Sequence, residues 1–120
     1  MNYQPTNLKE KFSQFSEHWS PKVIGQLNDY QFKIAKVEGE FIWHSHPETD
    51  EAFFVIEGEL KILFRDGEVV LEPGELFIVP KGVEHKPVAE TECQILMIEP
   101  EETVNTGDKG GDRTVVPKSL

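Results

Sequence analysis

The alternation of polar and apolar positions in this chain changes period once, near Lys22. Before it, Leu8, Phe12 and Phe15 recur at i, i+4 and i+7, which is one stripe of a helix. Asn7 is placed to cap that helix, with Glu10 three residues later as in a capping box. Trp19-Ser20-Pro21 ends it, because the residue before a proline is pushed out of helical geometry. The pattern predicts one short helix over 7–17, packed as a lid on the rest of the chain, with His18 a surface residue at its end.

From Lys22 onward the period is two. Apolar-rich runs at 23–27, 30–37, 41–46, 51–56, 60–64, 68–71, 76–80, 83–88 and 93–99 are separated by turns such as Asn28-Asp29, Arg65-Asp66-Gly67 and Pro73-Gly74. Asp-Gly is a strong hairpin signal because both positions tolerate positive φ. About nine short strands with turns every 8–12 residues indicate an all-β sandwich or barrel, not alternating helix and strand. On the run 30–37, Phe32, Ile34 and Lys36 share one face, read here as inward, and Gln31, Lys33 and Ala35 share the other. The organisation expected is a helical segment over 1–21, a barrel over 22–100 and a tail over 101–120 packed on the barrel or on a partner subunit. Glu99, Glu101 and Glu102 read together as solvated surface.

Charge narrows the partners. With 12 basic and 22 acidic side chains in 120 residues, the net charge is -10. Nucleic acid and anionic membrane both demand basic patches, so neither is expected as a partner. Cys93 is the single cysteine, which excludes an internal disulfide and suits a reducing, cytoplasmic compartment. No run approaches the roughly 18 apolar residues of a membrane span, and the opening residues lack a signal-type apolar stretch.

The four histidines carry the chemistry, because three of them fall within 44–85. His44 and His46, two apart on a strand, point to one face, and Glu51 opens the next strand beside them. His85 follows the Pro80-Lys81-Gly82 turn. Three neutral imidazoles and one carboxylate at one point suit a divalent transition metal: Fe, Mn, Ni, Co, Zn or Cu. By alternation the pocket beside it is lined by Ile42, Phe53 and Val55, with Phe32 and Ile34 from the earlier strand. That lining points to a small, partly apolar ligand. Lys36 is the one basic residue expected to face inward, and no acid or base other than Glu51 shares the pocket face.

Gly39, the His44-Ser45-His46 run, Glu51 and Gly58, followed by Gly74, Pro80, Gly82 and His85, resemble the two motifs of the cupin superfamily, small β-barrel metalloproteins. The likeness is strong over 23–99 and takes in the Glu99-Pro100…Thr103-Val104-Asn105-Thr106-Gly107 ending. It departs at Gly39, one residue nearer the first histidine than usual, and at Ala89, where an asparagine is usual. The resemblance implies a jelly-roll (double-stranded β-helix) barrel and assigns His44, His46, Glu51 and His85 as the metal ligands. The whole chain looks like a group of small stand-alone cupins often labelled mannose-6-phosphate isomerase-like, a label by analogy. It implies either a metal-dependent oxygenase or isomerase/lyase acting on a small molecule, or a non-catalytic binding or sensing module. The exposed apolar runs 52–56 and 76–79 make a homodimer the expected assembly.

Overall fold

The computed structural model describes residues 2–120. One helix, α1 (Leu8–Phe12), precedes β1 (Lys22–Leu27), β2 (Tyr30–Glu40), β3 (Glu51–Glu57), β4 (Leu60–Phe64), β5 (Gly67–Leu71), β6 (Leu76–Val79), β7 (His85–Pro100) and β8 (Lys118–Ser119). The fold is a jelly-roll-like β-barrel. Its strands follow the order β5-β4-β7-β2-β1-β8, with β3 bridging β7 and β6.

β7 is the spine. Its 16 residues pair with β2 along one edge and with β4 and then β3 along the other. The two short strands expected at 83–88 and 93–99 are thus one, and a register shift between Val37 and Gly39 of β2 absorbs the curvature. Gly58 turns β3 into β4 at φ +87°, a left-handed conformation that L side chains rarely adopt.

Register sets the core. Lys33 stands opposite Met97, Ala35 opposite Ile95 and Val37 opposite Cys93, while Phe53 and Val55 of β3 face Met97 and Ile95 from the far side. These odd-numbered positions point inward and, with Leu60, Ile62, Leu71 and Val79, form the buried core. The face of β2 is therefore opposite to the one expected. Phe32, Ile34 and Lys36 lie on the outer face, and Lys33, Ala35 and Val37 lie inside. The cause is the cover supplied by the N-terminal segment. Phe12 is buried, and the Phe15 ring receives Lys22 Nζ at 5.5 Å and Lys36 Nζ at 5.1 Å. Lys36 Nζ also donates to the Phe15 carbonyl at 2.7 Å, so this outer face is packed and not solvated.

The helix is shorter than expected. Ser13 stops it by donating its N–H to Lys9 and Glu10 carbonyls and its hydroxyl to Glu10 O at 2.6 Å. The chain then turns and continues without helix to Trp19, at φ +57°, and His18 bonds Glu92 at 2.8 Å from this segment, outside any helix. Residues 101–120 lie along the barrel: Thr106 is buried and β8 pairs in parallel with β1.

Candidate metal centre

The segment 41–50 that carries His44 and His46 is not a regular strand, in contrast to the run expected at 41–46. With β7 it makes the mutual pair His44 N to His85 O at 3.0 Å and His85 N to His44 O at 2.9 Å, and the Phe41 N–H donates to Pro87 O at 3.0 Å. The Gly82 N–H holds His46 O at 2.9 Å, and Asp50 Oδ1 accepts from the Lys81 N–H at 2.8 Å. These bonds tie the ligand segment to the turn that leads into His85. Glu51 comes in on β3, next to Val79 of β6.

His44, His46, Glu51 and His85 are all buried, and each offers a ligand atom within 4.8 Å of the others. His44 Nδ1 lies 2.9 Å from Ile42 O and His85 Nδ1 lies 3.0 Å from Val83 O. A carbonyl only accepts, so both Nδ1 atoms carry the proton and each neutral ring turns its Nε2 lone pair toward the centre. His46 Nε2, His85 Nε2 and Glu51 Oε1 are buried without a hydrogen-bond partner among the described residues. Glu51 Oε1 stands 3.3 Å from His46 Nε2 and 3.4 Å from His85 Nε2. Lone pairs facing each other at that separation need a proton or a cation between them. The donor set fits a divalent metal, which satisfies all three at once.

Electrostatics agree. Burial lowers the His44 imidazole to about 4, so it stays neutral and ready to ligate. Burial pushes Glu51 up, but the adjacent His46 and His85 rings outweigh it and hold its carboxyl well below the usual range. Glu99 behaves in the opposite way. Burial, then the neighbouring charge of Glu51, push it well above that range, against the pull of Lys33.

Beside the four residues lies a cavity of about 40 Å³. Trp19, Phe41, Phe53, Ile95 and Met97 supply its apolar wall, and His44, Glu51, Glu99 and Asn105 its polar groups. Trp19 stacks on Phe41 at 5.0 Å between ring centroids and is pinned through Nε1 to Glu38 O at 2.9 Å. On the other side His46 borders an open surface groove shared with Glu48, Thr49, Glu102 and Gly107. The ligand cluster therefore stands between an interior cavity and solvent.

Of the five residues expected to line the pocket, Phe53 is on its wall. Val55 is fully buried in the core away from it, and Ile42 is half-buried, contributing its carbonyl to His44 instead. Phe32 and Ile34 lie on the outer face of β2, for the reason given above. Glu99, expected at the surface, is 2% exposed and lines the cavity, with Lys33 Nζ 3.2 Å from its Oε1. Lys33, not Lys36, is the inward basic residue, and Glu99 is a second acid on the pocket face. The signal for Glu99 was the alternation Cys93, Ile95, Met97, Glu99, carried one residue further. Trp19 and Asn105 sit in segments with no periodicity and left no such signal.

Residues 31–99 match the family model for the cupin domain. A cupin-2 domain containing protein from Shewanella frigidimarina is 59% identical, covering 79% of this chain and 93% of that one, at a TM-score of 0.79. The Bacillus subtilis protein YdbB, itself uncharacterised, is 41% identical over 80 residues, which span 66% of this chain and 65% of that protein's length. Hydroquinone 1,2-dioxygenase from Sphingomonas sp. TTNP3 shares the fold at a TM-score of 0.71 and 18% identity, over 81% of this chain and 32% of that one.

Proposed function

This chain belongs to the cupin family, and on that premise we propose that it is a metal-binding cupin acting on a small molecule held in the cavity beside the metal. His44, His46, Glu51 and His85 hold one divalent transition metal in this reading. The observation that carries it is the convergence of three buried, unpartnered ligand atoms, His46 Nε2, His85 Nε2 and Glu51 Oε1, on one point. When bound, such a metal supplies a Lewis acid with positions open to substrate.

The chain's own residues do the rest. Trp19, Phe41, Phe53 and Met97 exclude water from the cavity. Glu99 presents a buried, unpartnered Oε2 to the same space, held by Lys33 through Oε1, and is placed to meet a polar atom of the ligand and hold a proton there. An acid in that position favours an enzyme, an oxygenase or an isomerase/lyase, over the second reading of a non-catalytic binding or sensing module. The charged groups on the wall are carboxylates and Lys33 is committed to Glu99, which supports an unphosphorylated ligand over a sugar phosphate. The likeness to the dioxygenase is one of fold, so the reaction class rests on assay.

The test is metal analysis of protein purified without a polyhistidine tag, followed by oxygen-uptake and isomerisation assays on the Fe-, Mn-, Ni-, Co-, Zn- and Cu-loaded forms. One equivalent of metal in the wild type, lost in His85→Ala, supports the site; none in the wild type refutes it. Turnover abolished by Glu99→Gln with metal retained supports the enzyme. Metal without turnover across a broad panel leaves the binding module.

Two further parts belong to this proposal. A second copy of the chain covers the outer face at β6. Among the described residues that strand pairs only with β3, which leaves one edge without a ladder partner, and its Leu76 and Ile78 are 56% and 53% exposed beside Phe54 and Ala52. Light scattering should give a dimer mass for the wild type and a monomer for Ile78→Asp; a wild-type monomer ends the idea. The cytoplasm is the proposed compartment, supported by the single, free and buried Cys93.

A further inference from the structure

The ligand segment has two edges, and β7 serves only one of them. Toward β7, His44 exchanges both backbone bonds with His85. The opposite edge is the peptide of Ser45, between the two histidines, and it is met by the tail. The Ser45 N–H donates to Asp108 Oδ1 at 2.8 Å, and the Asp108 N–H donates to Ser45 O at 2.9 Å. One residue thus supplies both the acceptor and the donor that a neighbouring strand would have supplied.

The approach is close because the residue before Asp108 has no side chain. Gly107 sits at φ +56°, and a Cβ there would collide with the Ser45 carbonyl and lie 3.1 Å from His44 Cδ2. The tail loop is in turn braced behind its contact. Asn105 Nδ2 donates to Arg113 O at 2.8 Å, Asn105 Oδ1 accepts from the Val115 N–H at 3.0 Å, and the Thr106 and Thr114 hydroxyls share a hydrogen bond. The Arg113 guanidinium lies 4.8 Å from the centroid of Phe41, whose ring meets His44 edge-on at 5.4 Å.

We propose that the tail loop, residues 105–108, is the outer brace of the metal centre, with Asp108 and Gly107 as positioning residues for His44 and His46. The role rests on the metal reading above. A segment held along one edge alone is free to twist, which would swing two of the four ligands together. Held along both, it keeps their Nε2 atoms aimed at one point. Outer-shell partners of this kind typically control about 10–100-fold in metal affinity.

The experiment compares the full-length wild type with Asp108→Ala, Asp108→Asn and Gly107→Ala. In the metal-free proteins, amide hydrogen exchange of Ser45 reads the clasp directly. In the Cu(II)-loaded proteins, competition titration reads affinity and electron paramagnetic resonance reads ligand geometry. Asp108→Ala should exchange the Ser45 amide about tenfold faster or more, bind Cu(II) about 10–100-fold more weakly and shift the Cu(II) spectrum. Asp108→Asn keeps the accepting oxygen and should restore all three, whereas Gly107→Ala should reproduce the spectral shift by forcing the loop off Ser45. An Asp108→Ala protein with wild-type affinity and spectrum overturns the brace, as does an unchanged Ser45 exchange rate. An equal loss in Asp108→Asn assigns the effect to charge and overturns it too. A wild type that takes up no copper sinks the metal reading and this role with it, a result distinct from a wild type that binds alongside an unaffected Asp108→Ala.

Discussion

Lys33→Met isolates the buried ion pair beside the candidate metal centre. Lys33 Nζ lies 3.2 Å from Glu99 Oε1, and the two side chains are 1% and 3% exposed. Methionine keeps most of the apolar stem, so the loss reports the charge. Where Glu99 is ionised, removing one partner of a buried pair costs about 3–5 kcal/mol, because the other charge is left without compensation. A chain of this length loses about 4 °C of melting temperature per kcal/mol, so a fall of roughly 12–20 °C is expected. The sign with pH follows from Glu99. Burial and Glu51 already push its carboxyl above the ordinary 4.5, and Lys33 is the group that opposes them. Without Lys33 the folded value rises further. A carboxyl raised in the folded state stabilises below its unfolded value, and that contribution is lost as pH rises through the folded one. The deficit of the variant relative to the wild type should therefore be largest near pH 8 and narrow as pH falls toward 4.5. The double variant Lys33→Met/Glu99→Leu should regain most of the loss, since an apolar pair removes both buried charges. Urea unfolding of the three proteins from pH 4.5 to 8 is the assay. A deficit under about 1 kcal/mol, or one independent of pH, would show that the pair is not the isolated buried charge described above.

Gly58→Ala should cost about 2–4 kcal/mol by urea denaturation, because Gly58 is at φ +87° and a Cβ would stand 2.9 Å from Glu92 O and 3.0 Å from Cys93 Cα. Gly74→Ala, also at φ +87° but with open space around it, should cost only the backbone strain, about 1–2 kcal/mol; equal losses would refute the role given to the close approach. In the metal-free protein, His44 lowered from 6.5 to about 4 contributes stability that is present above pH 6.5 and lost as pH falls through 4. Urea midpoints of the wild type and His44→Asn should therefore diverge least near pH 4 and most above 6.5, and parallel pH profiles would contradict the burial of that ring.

The four residues of the cluster were legible because each lies in or beside a period-two run, where spacing alone decides the face. His44 and His46 are two apart, and Glu51 opens β3. The strand rhythm likewise gave the all-β barrel. What spacing could not decide was the phase of β2. Phe32 and Ile34 look inward by composition, yet the outer face of β2 is also apolar because Phe12 and Phe15 cover it. Alternation names two faces without saying which one a distant helix will pack against. Glu99 was hidden in the same way, behind the acidic Glu101 and Glu102, although its partner Lys33 shares its face across the β2–β7 ladder. Trp19, Asn105 and Asp108 reach the site from irregular segments, where neither period nor propensity predicts position.

The 16-residue β7 also dictates when this barrel can assemble. β2, β3 and β4 all wait for it along one edge, and Tyr30, paired locally with Leu27 of β1, meets its β7 partner only at Pro100. Loop closure over that distance must precede any gain from pairing, so folding should be governed by non-local contacts and run on the slow side for a domain of this size. Until β7 docks, the apolar strands before it expose unpaired edges, and the interval before closure is when the nascent protein is most prone to pair with the wrong neighbour.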